Sequence, residues 1–221
     1  MSVPSDGGRR TGAGLDPWVL VEDPWTRVEP ESSRRLLLAA IDAFAEQGYH
    51  ATTTRDIATR AGMSPAALYV HYPSKAALLA RISGVGHEVA LALVQQAIEQ
   101  APDPLSRLRT VVAGFASWHA EHHRVARVVH YELTALPEPD RAGIIELRHR
   151  IERLVEEQIS AGVAAGQMRV AHPRRVARAV LSLGVDVARW YHPTGPDSPA
   201  DIGALYADLA ARMVGAGDLP E

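Results

Sequence analysis

The sequence predicts an all-α protein of about nine helices. Apolar residues recur every three to four positions from Arg34 onward, which is the spacing of amphipathic helices. Proline and glycine cluster between these periodic segments rather than inside them, where they would break a helix. Hydrophobic residues make up 47 % of the 221 residues, which is enough for one sizeable core and a small satellite domain.

The clearest local signals lie in residues 53–78, which read TTRDIATRAGMSPAALYVHYPSKAAL. Thr53 and Asp56 have the spacing of a capping box, so a short helix should begin at Thr54. Gly62 should end this helix, because glycine adopts a positive φ at no steric cost. The apolar face of the helix should consist of Ile57, Ala58 and Ala61.

A second short helix is predicted from Pro65 to Tyr72. Ser64 is a favourable N-cap, and proline suits the first helical position because its missing N–H is not needed there. Leu68 and Tyr72 should face inward. A helix that begins with small residues can approach the major groove of DNA closely, so the pair of helices predicts a helix-turn-helix that reads DNA. The outward residues would be Ala66, Ala67, Tyr69 and His71.

The distribution of charge supports this interpretation more than the net charge does. The formal charge of the whole chain is −3, which argues against a protein that coats nucleic acid. Residues 57–87 contain no Asp or Glu and carry +3 through Arg60, Lys75 and Arg81. Lys75 is the only lysine and follows a helix-capping Ser74, so its ammonium and the helix N-terminus should meet one phosphate. The alternative is an ordinary solvated surface charge.

The segment from Arg34 to Ile82 resembles the DNA-binding domain of the TetR family of bacterial one-component transcriptional regulators. It contains AFAEQGYHATTTRDIATRAGMS and then the signature LYxHYxxKxxLL, which runs from Leu68 to Leu79. The resemblance implies a helix-turn-helix domain over residues 31–82 and a ligand-binding and dimerisation domain over residues 83–221. It implies phosphate or base contacts from Thr54, Arg55, Ser64, Ala66, Ala67, Tyr69, His71 and Lys75.

Six further helices are predicted after the first three, with limits set by clusters of proline and glycine. Their ranges are Ser74 to Gln100 with a bend near Gly84, Leu105 to Glu121, His122 to Leu136, Asp140 to Ala165, Pro173 to Tyr191 and Pro199 to Val214. Small residues on the last two helices suit a close four-helix interface between two subunits, as the family resemblance also implies. They include Val176, Ala179, Val180, Leu183, Gly184 and Val187.

Residues 1–30 are predicted to form a flexible arm. The first fourteen are rich in Gly, Ser and Arg, a composition typical of disorder. The rest carries Asp-Pro-Trp twice, at 16–18 and 23–25. Two tryptophans in a chain poor in aromatic residues should pack on the body of one subunit or of its partner. Alternatively, Arg9 and Arg10 reach into a minor groove of DNA.

Three histidines in the second domain have the spacing of a metal pair: His119, His122 and His123. No carboxylate–histidine motif such as HExxH accompanies them, so we expect no metal site. A metal-dependent sensor or enzyme that uses these histidines is the less favoured alternative. The absence of cysteine excludes a disulfide framework, a thiolate zinc site and a cysteine nucleophile. We therefore expect no cofactor, no catalytic residues and no enzymatic activity.

The strings EHHR, HYE and RWYHP in the second domain are similar to the acyl-CoA-responsive branch of the TetR family. The similarity implies an apolar tunnel with an arginine-lined mouth, which would suit a CoA thioester. In the alternative interpretation, Trp190 and Tyr191 only close a helix end and stabilise the subunit interface. The residues implied in ligand binding are Trp118, His122, Arg127, His130, Tyr131, Arg148, Arg189 and Trp190.

These observations predict a ligand-responsive DNA-binding regulator. The expected form is a homodimeric repressor that a small hydrophobic molecule, such as an acyl-CoA, releases from a pseudo-palindromic double-stranded operator. The alternative is a constitutive DNA-binding regulator whose second domain is filled. No apolar run approaches the roughly 18 residues that cross a bilayer, and MSVPSDGGRRTGAG lacks the apolar core of a signal peptide. We therefore expect a cytoplasmic protein that does not associate with membranes.

Overall fold

The computed structural model describes residues 24–216. This part of the chain contains nine α-helices and two short 3-10 turns, joined by loops. No strand occurs in this part, and the all-α prediction is confirmed. The predictions for Arg9, Arg10 and the first Asp-Pro-Trp repeat lie outside the described residues. The helices are α1 Glu31–Gln47, α2 Thr54–Arg60, α3 Pro65–His71, α4 Lys75–Gln100, α5 Pro104–Glu121, α6 His123–Tyr131, α7 Glu138–Ala164, α8 Pro173–Trp190 and α9 Pro199–Met213, and the turns are Pro24–Arg27 and Leu133–Ala135.

The first three helices fold as their local signals predict. Thr53 Oγ1 accepts a hydrogen bond from Asp56 N–H at 3.2 Å, and the Asp56 carboxylate accepts one from Thr53 N–H at 2.9 Å. Gly62 follows α2 with a φ of 65°, the left-handed conformation that ends the helix. The core between these helices and the start of α4 consists of fully buried apolar side chains: Leu36, Leu37, Ile57, Leu68, Leu78 and Leu79.

Trp25 belongs to this first core. Its side chain is buried, and the 3-10 turn Pro24–Arg27 contacts both α1 and α4. The prediction that an arm tryptophan packs on the body is therefore confirmed for Trp25, within its own subunit.

α4 connects the two domains and runs without interruption from Lys75 to Gln100. The bend predicted near Gly84 does not interrupt the helix, which is continuous there. Within residues 24–216 it is the one helix long and apolar enough to cross a membrane, and 67 % of its most apolar window is buried inside the protein. The expectation that no apolar segment approaches the length of a membrane span is therefore wrong for α4, as judged by its mean hydropathy. Its burial identifies it as the core helix of this fold.

α6 and α7 differ from their predicted limits. α6 ends at Tyr131, before the predicted Leu136, and the chain continues as the 3-10 turn Leu133–Ala135. It leaves the helix at Glu132, whose carboxylate accepts a hydrogen bond from Tyr49 N–H at 3.1 Å. This contact spans the two domains and could not be anticipated from local sequence. α7 begins at Glu138, because Pro139 fits the first turn of a helix rather than ending the preceding loop.

α5 is the central helix of the second domain and contacts α4, α7, α8 and α9. α9 lies against it at very short range, since a Cβ added at Gly203 would lie 2.5 Å from the carbonyl oxygen of Ala113. α8 approaches through Gly184, where a Cβ would lie 2.7 Å from Phe115 Cδ1. Glycine at these two positions allows the helices to pack closely.

The assignment of small α8 residues to a subunit interface is therefore partly wrong. Val180, Gly184 and Val187 are buried against the core of their own subunit. Ala179 and Leu183 lie on the exposed side of the same helix. The helical spacing of small residues could not show which of the two faces of α8 packs against α5.

Candidate nucleic-acid interface and ligand cavity

Most of the predicted DNA-contacting residues lie on α2, on α3 or at the N-cap of α3. Ser64 Oγ caps α3 by accepting a hydrogen bond from Ala67 N–H at 3.2 Å. Tyr69 is 53 % exposed, and its hydroxyl is hydrogen-bonded to Thr54 Oγ1 at 3.1 Å. The side chains of Arg55, Ser64 and Ala66 are exposed, whereas Thr54 and Ala67 are half-buried. α3 therefore presents small side chains at its start and an exposed tyrosine further along.

Val70 is a member of this surface that sequence reasoning missed. It is 79 % exposed on α3, beside Tyr69. In the signature LYxHYxxKxxLL, Val70 is the first variable position (x), and this place between Tyr69 and His71 could have indicated its exposure. An exposed apolar side chain on a recognition helix can contact the methyl group of thymine.

His71 and Lys75 turn toward the protein. His71 Nε2 is hydrogen-bonded to Ser32 Oγ of α1 at 2.9 Å. Lys75 Nζ donates to the carbonyl oxygens of Tyr49 at 2.6 Å and Thr52 at 2.7 Å, and it lies 4.3 Å from the centroid of the Tyr49 ring. The ammonium thus holds the loop between α1 and α2, and the expected phosphate contact of Lys75 stays a prediction beside this structural role.

Arg60 was one of the three basic residues in the segment 57–87, which contains no Asp or Glu, but its charge is partly neutralised by a neighbouring helix. It forms an ion pair with Glu46 of α1 at 2.6 Å, and Arg124 of α6 binds the same carboxylate at 2.8 Å. These two arginines lower the pKa of Glu46 to about 2. Arg124 also reaches Asp42 at 3.0 Å, so these arginines connect α1 with its neighbours.

The second domain contains a cavity of about 380 Å³ between α4, α5, α6, α7 and α8. Apolar side chains, among them Phe115, Val129 and Leu181, form much of its wall. The volume lies in the range of small-molecule sites, and helix bundles commonly place such sites between their helices. Its polar wall residues are His87, His119, His130, Tyr131, Arg148, Glu152, Ser182 and Asp186.

One end of the polar wall is a chain of hydrogen bonds centred on Arg148. Its Nε donates to His87 Nε2 at 2.9 Å, and its Nη2 donates to His130 Nδ1 at 3.0 Å. His130 Nε2 in turn lies 3.1 Å from His119 Nε2. Four residues from four different helices thus form one continuous network.

The contacts of this network determine which imidazole nitrogens carry protons. The Nδ1 atoms of His87 and His119 lie 2.8 and 2.7 Å from backbone carbonyl oxygens, so each of them donates. His119 Nε2 is then an acceptor, and His130 Nε2 must donate to it. Burial lowers the pKa of His87 and of His119 to about 4, and it lowers the pKa of His130 well below its usual value. All three rings are therefore neutral at pH 7, and Arg148 is the single cation of the network.

A second cavity of about 340 Å³ lies where the two domains meet. Phe44, Glu46 and Gly48 of the first domain face Arg127 and Arg189 of the second across it. Tyr131 lines both cavities and so stands between them.

The residues predicted to bind a ligand divide between these spaces. Four line the larger cavity, namely Trp118, His130, Tyr131 and Arg148. Arg127 and Arg189 line the smaller one, where Arg189 is paired with Asp186 at 2.6 Å. His122 packs on Trp118, and Trp190 is exposed at the end of α8; neither lines either of these two cavities. His87 is the functional candidate that the sequence did not reveal, because a lone histidine on an apolar helix carries no signal of its own.

The three histidines considered for a metal do not converge. His119 is bound to His130, whereas His123 contacts the carbonyl oxygen of Ala120 and the ring of Tyr191. Between residues 24 and 216, no group of three His, Asp or Glu side chains is arranged to hold a metal ion.

Comparisons with known proteins agree with this architecture. Residues 36–82 match the family model for bacterial regulatory proteins of the tetR family, and residues 101–214 match that for the tetracyclin repressor-like C-terminal domain. The chain belongs to the TetR family. It is 34 % identical to the HTH-type transcriptional repressor KstR2 of Mycolicibacterium smegmatis over 83 % of this chain and 91 % of that one. As in its TetR relatives, the helix-turn-helix makes it a DNA-binding transcriptional regulator.

Two solved structures have the same fold. A TetR-family regulatory protein from Rhodococcus RHA1 is 39 % identical, with a TM-score of 0.81 over 86 % of this chain and 100 % of that one. AibR, solved with isovaleryl coenzyme A and operator DNA, has a TM-score of 0.74 over 84 % of this chain and 99 % of that one. AibR is 23 % identical, so its likeness concerns the fold.

Proposed function

We propose that this TetR regulator is a cytoplasmic homodimeric repressor that a hydrophobic effector releases from a pseudo-palindromic operator. The observation that carries the proposal is that α4 belongs to both sites. Its N-terminal end packs in the DNA-binding domain, and Gly86, His87 and Ala90 further along line the larger cavity. An effector that moves α4 changes the position of the DNA-binding domain.

An exposed apolar surface on α8 and α9 supports the dimer. Leu205, Leu209 and Met213 recur every four residues along α9 and are 56, 38 and 40 % exposed. Leu183 of α8 is similarly exposed at 42 %. Large apolar side chains arranged in a stripe are typical of a surface that another subunit covers. A two-fold dimer would hold two α3 helices about 34–36 Å apart, one turn of duplex DNA.

α6 offers a second route from the cavity to the DNA-binding domain. Its first turn holds Arg124, which binds Asp42 and Glu46 of α1, and Glu132 directly after its last residue binds Tyr49 N–H. Between them, His130 and Tyr131 line the larger cavity. A bound effector would displace α6 and α4 together. It lowers DNA affinity only to the extent that it prefers the conformation that does not fit the operator.

Tyr69→Ala is expected to weaken operator binding by about 1–3 kcal/mol per contact and to reduce discrimination at one base position, because Tyr69 is exposed on α3. Fluorescence anisotropy with an operator selected from random duplex DNA, and with single-base variants of it, measures both effects. The thermal stability should stay close to that of the wild type, whereas Leu68→Ala, which empties a buried position, should lower it. A Tyr69→Ala protein as unstable as Leu68→Ala would contradict the assignment.

An acyl-CoA thioester is the proposed effector class. Its acyl part would occupy the larger cavity, and its phosphates would lie near Arg127 and Arg189 in the smaller one, beyond Tyr131. The AibR complex is compatible with this choice, because a protein of the same fold holds isovaleryl coenzyme A. Long-chain or polycyclic acyl-CoA should release the protein from its operator, whereas free CoA should not, since it lacks the apolar part.

Arg189→Ala should leave operator binding intact but require about ten- to hundred-fold more acyl-CoA for release, because one charge-assisted phosphate contact is lost. Titration of the protein–operator complex with acyl-CoA measures this change. Arg153→Ala is the matched control, since Arg153 is also an exposed arginine in an ion pair with a carboxylate. If no acyl-CoA releases DNA, a constitutive regulator is favoured. If Arg189→Ala dissociates into monomers, Arg189 belongs to the subunit interface.

A further inference from the structure

The guanidinium of Arg148 has unused hydrogen-bonding capacity inside the larger cavity. A guanidinium carries five N–H donors. Two of them are used, on His87 Nε2 and His130 Nδ1, and no other hydrogen bond of Arg148 occurs within the described part of the chain. Three donors are therefore available on a side chain that lines the cavity and is half-buried.

The positive charge of Arg148 also lacks a counter-ion. Both of its protein partners are neutral imidazoles, and among residues 24–216 no carboxylate pairs with it. Burial lowers the pKa of Arg148, because removing the guanidinium from water disfavours its charge. A half-buried cation that faces a cavity without an anion costs stability unless a bound group compensates it.

The two carboxylates on the cavity wall already have partners. Glu152 is bound by Arg174 at 3.2 Å and Arg178 at 2.9 Å, and Asp186 is bound by Arg189. Hydrogen bonds from Arg189 lower the pKa of Asp186, so this group remains ionised at pH 7. Both wall carboxylates are thus held by other arginines, and neither serves as the counter-ion of Arg148. The single uncompensated charge of Arg148 matches a ligand group with a single negative charge.

We infer that the part of the effector inside the larger cavity is an apolar body bearing one oxyanion, of the carboxylate or sulfonate kind, which Arg148 binds. The inference rests on the proposed function, in that it takes this cavity as the site of the acyl part, and it narrows that part to an acyl group that carries an oxyanion of its own. Both oxyanions suit a guanidinium, because two of their oxygens can accept hydrogen bonds from two parallel N–H groups at once. The contacts with His87 and His130 use Nε and one N–H of Nη2, so the second N–H of Nη2 and both N–H groups of Nη1 remain for a ligand.

The test uses two fluorescent probes with the same rings. Anilinonaphthalene sulfonate carries one oxyanion, and its uncharged parent, phenylnaphthylamine, carries none. Quenching of Trp118, taken as the difference between the wild type and Trp118→Phe, reports probe bound in the cavity, because Trp118 lines it. The full-length protein should bind the sulfonate about ten- to hundred-fold more tightly than the uncharged probe.

Arg148→Met should remove this preference and leave binding of the uncharged probe unchanged. Arg148→Lys should restore part of the preference, because it retains the charge without the paired donors. Arg178→Met is the matched control, since it removes one arginine charge near the cavity from a residue that does not line it.

Equal binding of the two probes by the wild type, or an undiminished preference in Arg148→Met, would overturn the inference. If Arg148→Met does not fold, Arg148→Lys decides: a preference as strong as in the wild type contradicts the need for paired donors. Failure of the proposed function is a separate outcome. A protein that binds the sulfonate through Arg148 but is released from DNA by no effector contradicts the proposed function alone.

Discussion

Acidification is expected to destabilise this protein steeply between pH 6.5 and pH 4, through its buried histidines. Burial lowers the pKa of His87 from 6.5 to about 4 in the folded state, whereas the unfolded chain titrates near 6.5. Between these values the unfolded state binds more protons, so the free energy of unfolding falls as the pH falls. For His87 alone the loss approaches about 3 kcal/mol by pH 4. His119 adds to it in the same direction.

The hydrogen-bond network explains why these histidines resist protonation. A proton added to His119 Nε2 would face the N–H of His130, and a proton added to His87 Nε2 would face the Nε–H of Arg148. Each event replaces a donor–acceptor contact with two opposed donors beside an existing cation. Protonation therefore breaks the network rather than extending it.

Urea unfolding at pH 7.0 and at half-unit steps down to about 5.5 measures the effect above the range in which ordinary carboxylates titrate. His87→Gln should give a flatter profile, because it removes one of the titrating groups. His172→Gln is the matched control, since His172 is exposed. A His87→Gln profile that runs parallel to the wild type would show that His87 does not account for the slope.

Local signals predicted the DNA-binding domain well because its structure depends on local interactions. The Thr53–Asp56 capping box, Ser64 with Pro65, and Gly62 each act within a few residues, and the structure contains all of them. The same reasoning placed Tyr69 outside and Leu68 inside.

The larger cavity and the domain contacts depend on residues far apart in the sequence, which a single sequence does not relate. Arg148 was a candidate, but its partner His87 lies on another helix and gave no signal. Lys75 looked like a phosphate clamp, yet its ammonium finds carbonyl oxygens in the loop that precedes α2. Gly184 looked like an interface residue, and only the position of Phe115 shows that it faces inward.

Loss of the dimer is the largest functional effect that we expect from a single substitution. Leu209→Glu places a carboxylate in the middle of the exposed apolar stripe of α9. Because a two-fold interface contains every residue twice, each dimer would bury two unpaired charges close together. The protein should become monomeric at low micromolar concentration, which sedimentation velocity measures. A monomer reaches one half-site at a time, so operator affinity should fall by about 10²–10⁴-fold.

Ile145→Glu is the control for the effect of adding a carboxylate at an exposed apolar position outside the α9 stripe. Ile145 lies on α7 and is 37 % exposed, compared with 38 % for Leu209, so the two variants add the same charge at equally accessible apolar positions. Ile145→Glu should remain a dimer and bind the operator as the wild type does. Both variants should keep the helical circular-dichroism spectrum of the wild type, which shows that the subunit fold is intact. A Leu209→Glu protein that stays dimeric and keeps its operator affinity would place the subunit interface elsewhere, and the α9 stripe would then need another partner.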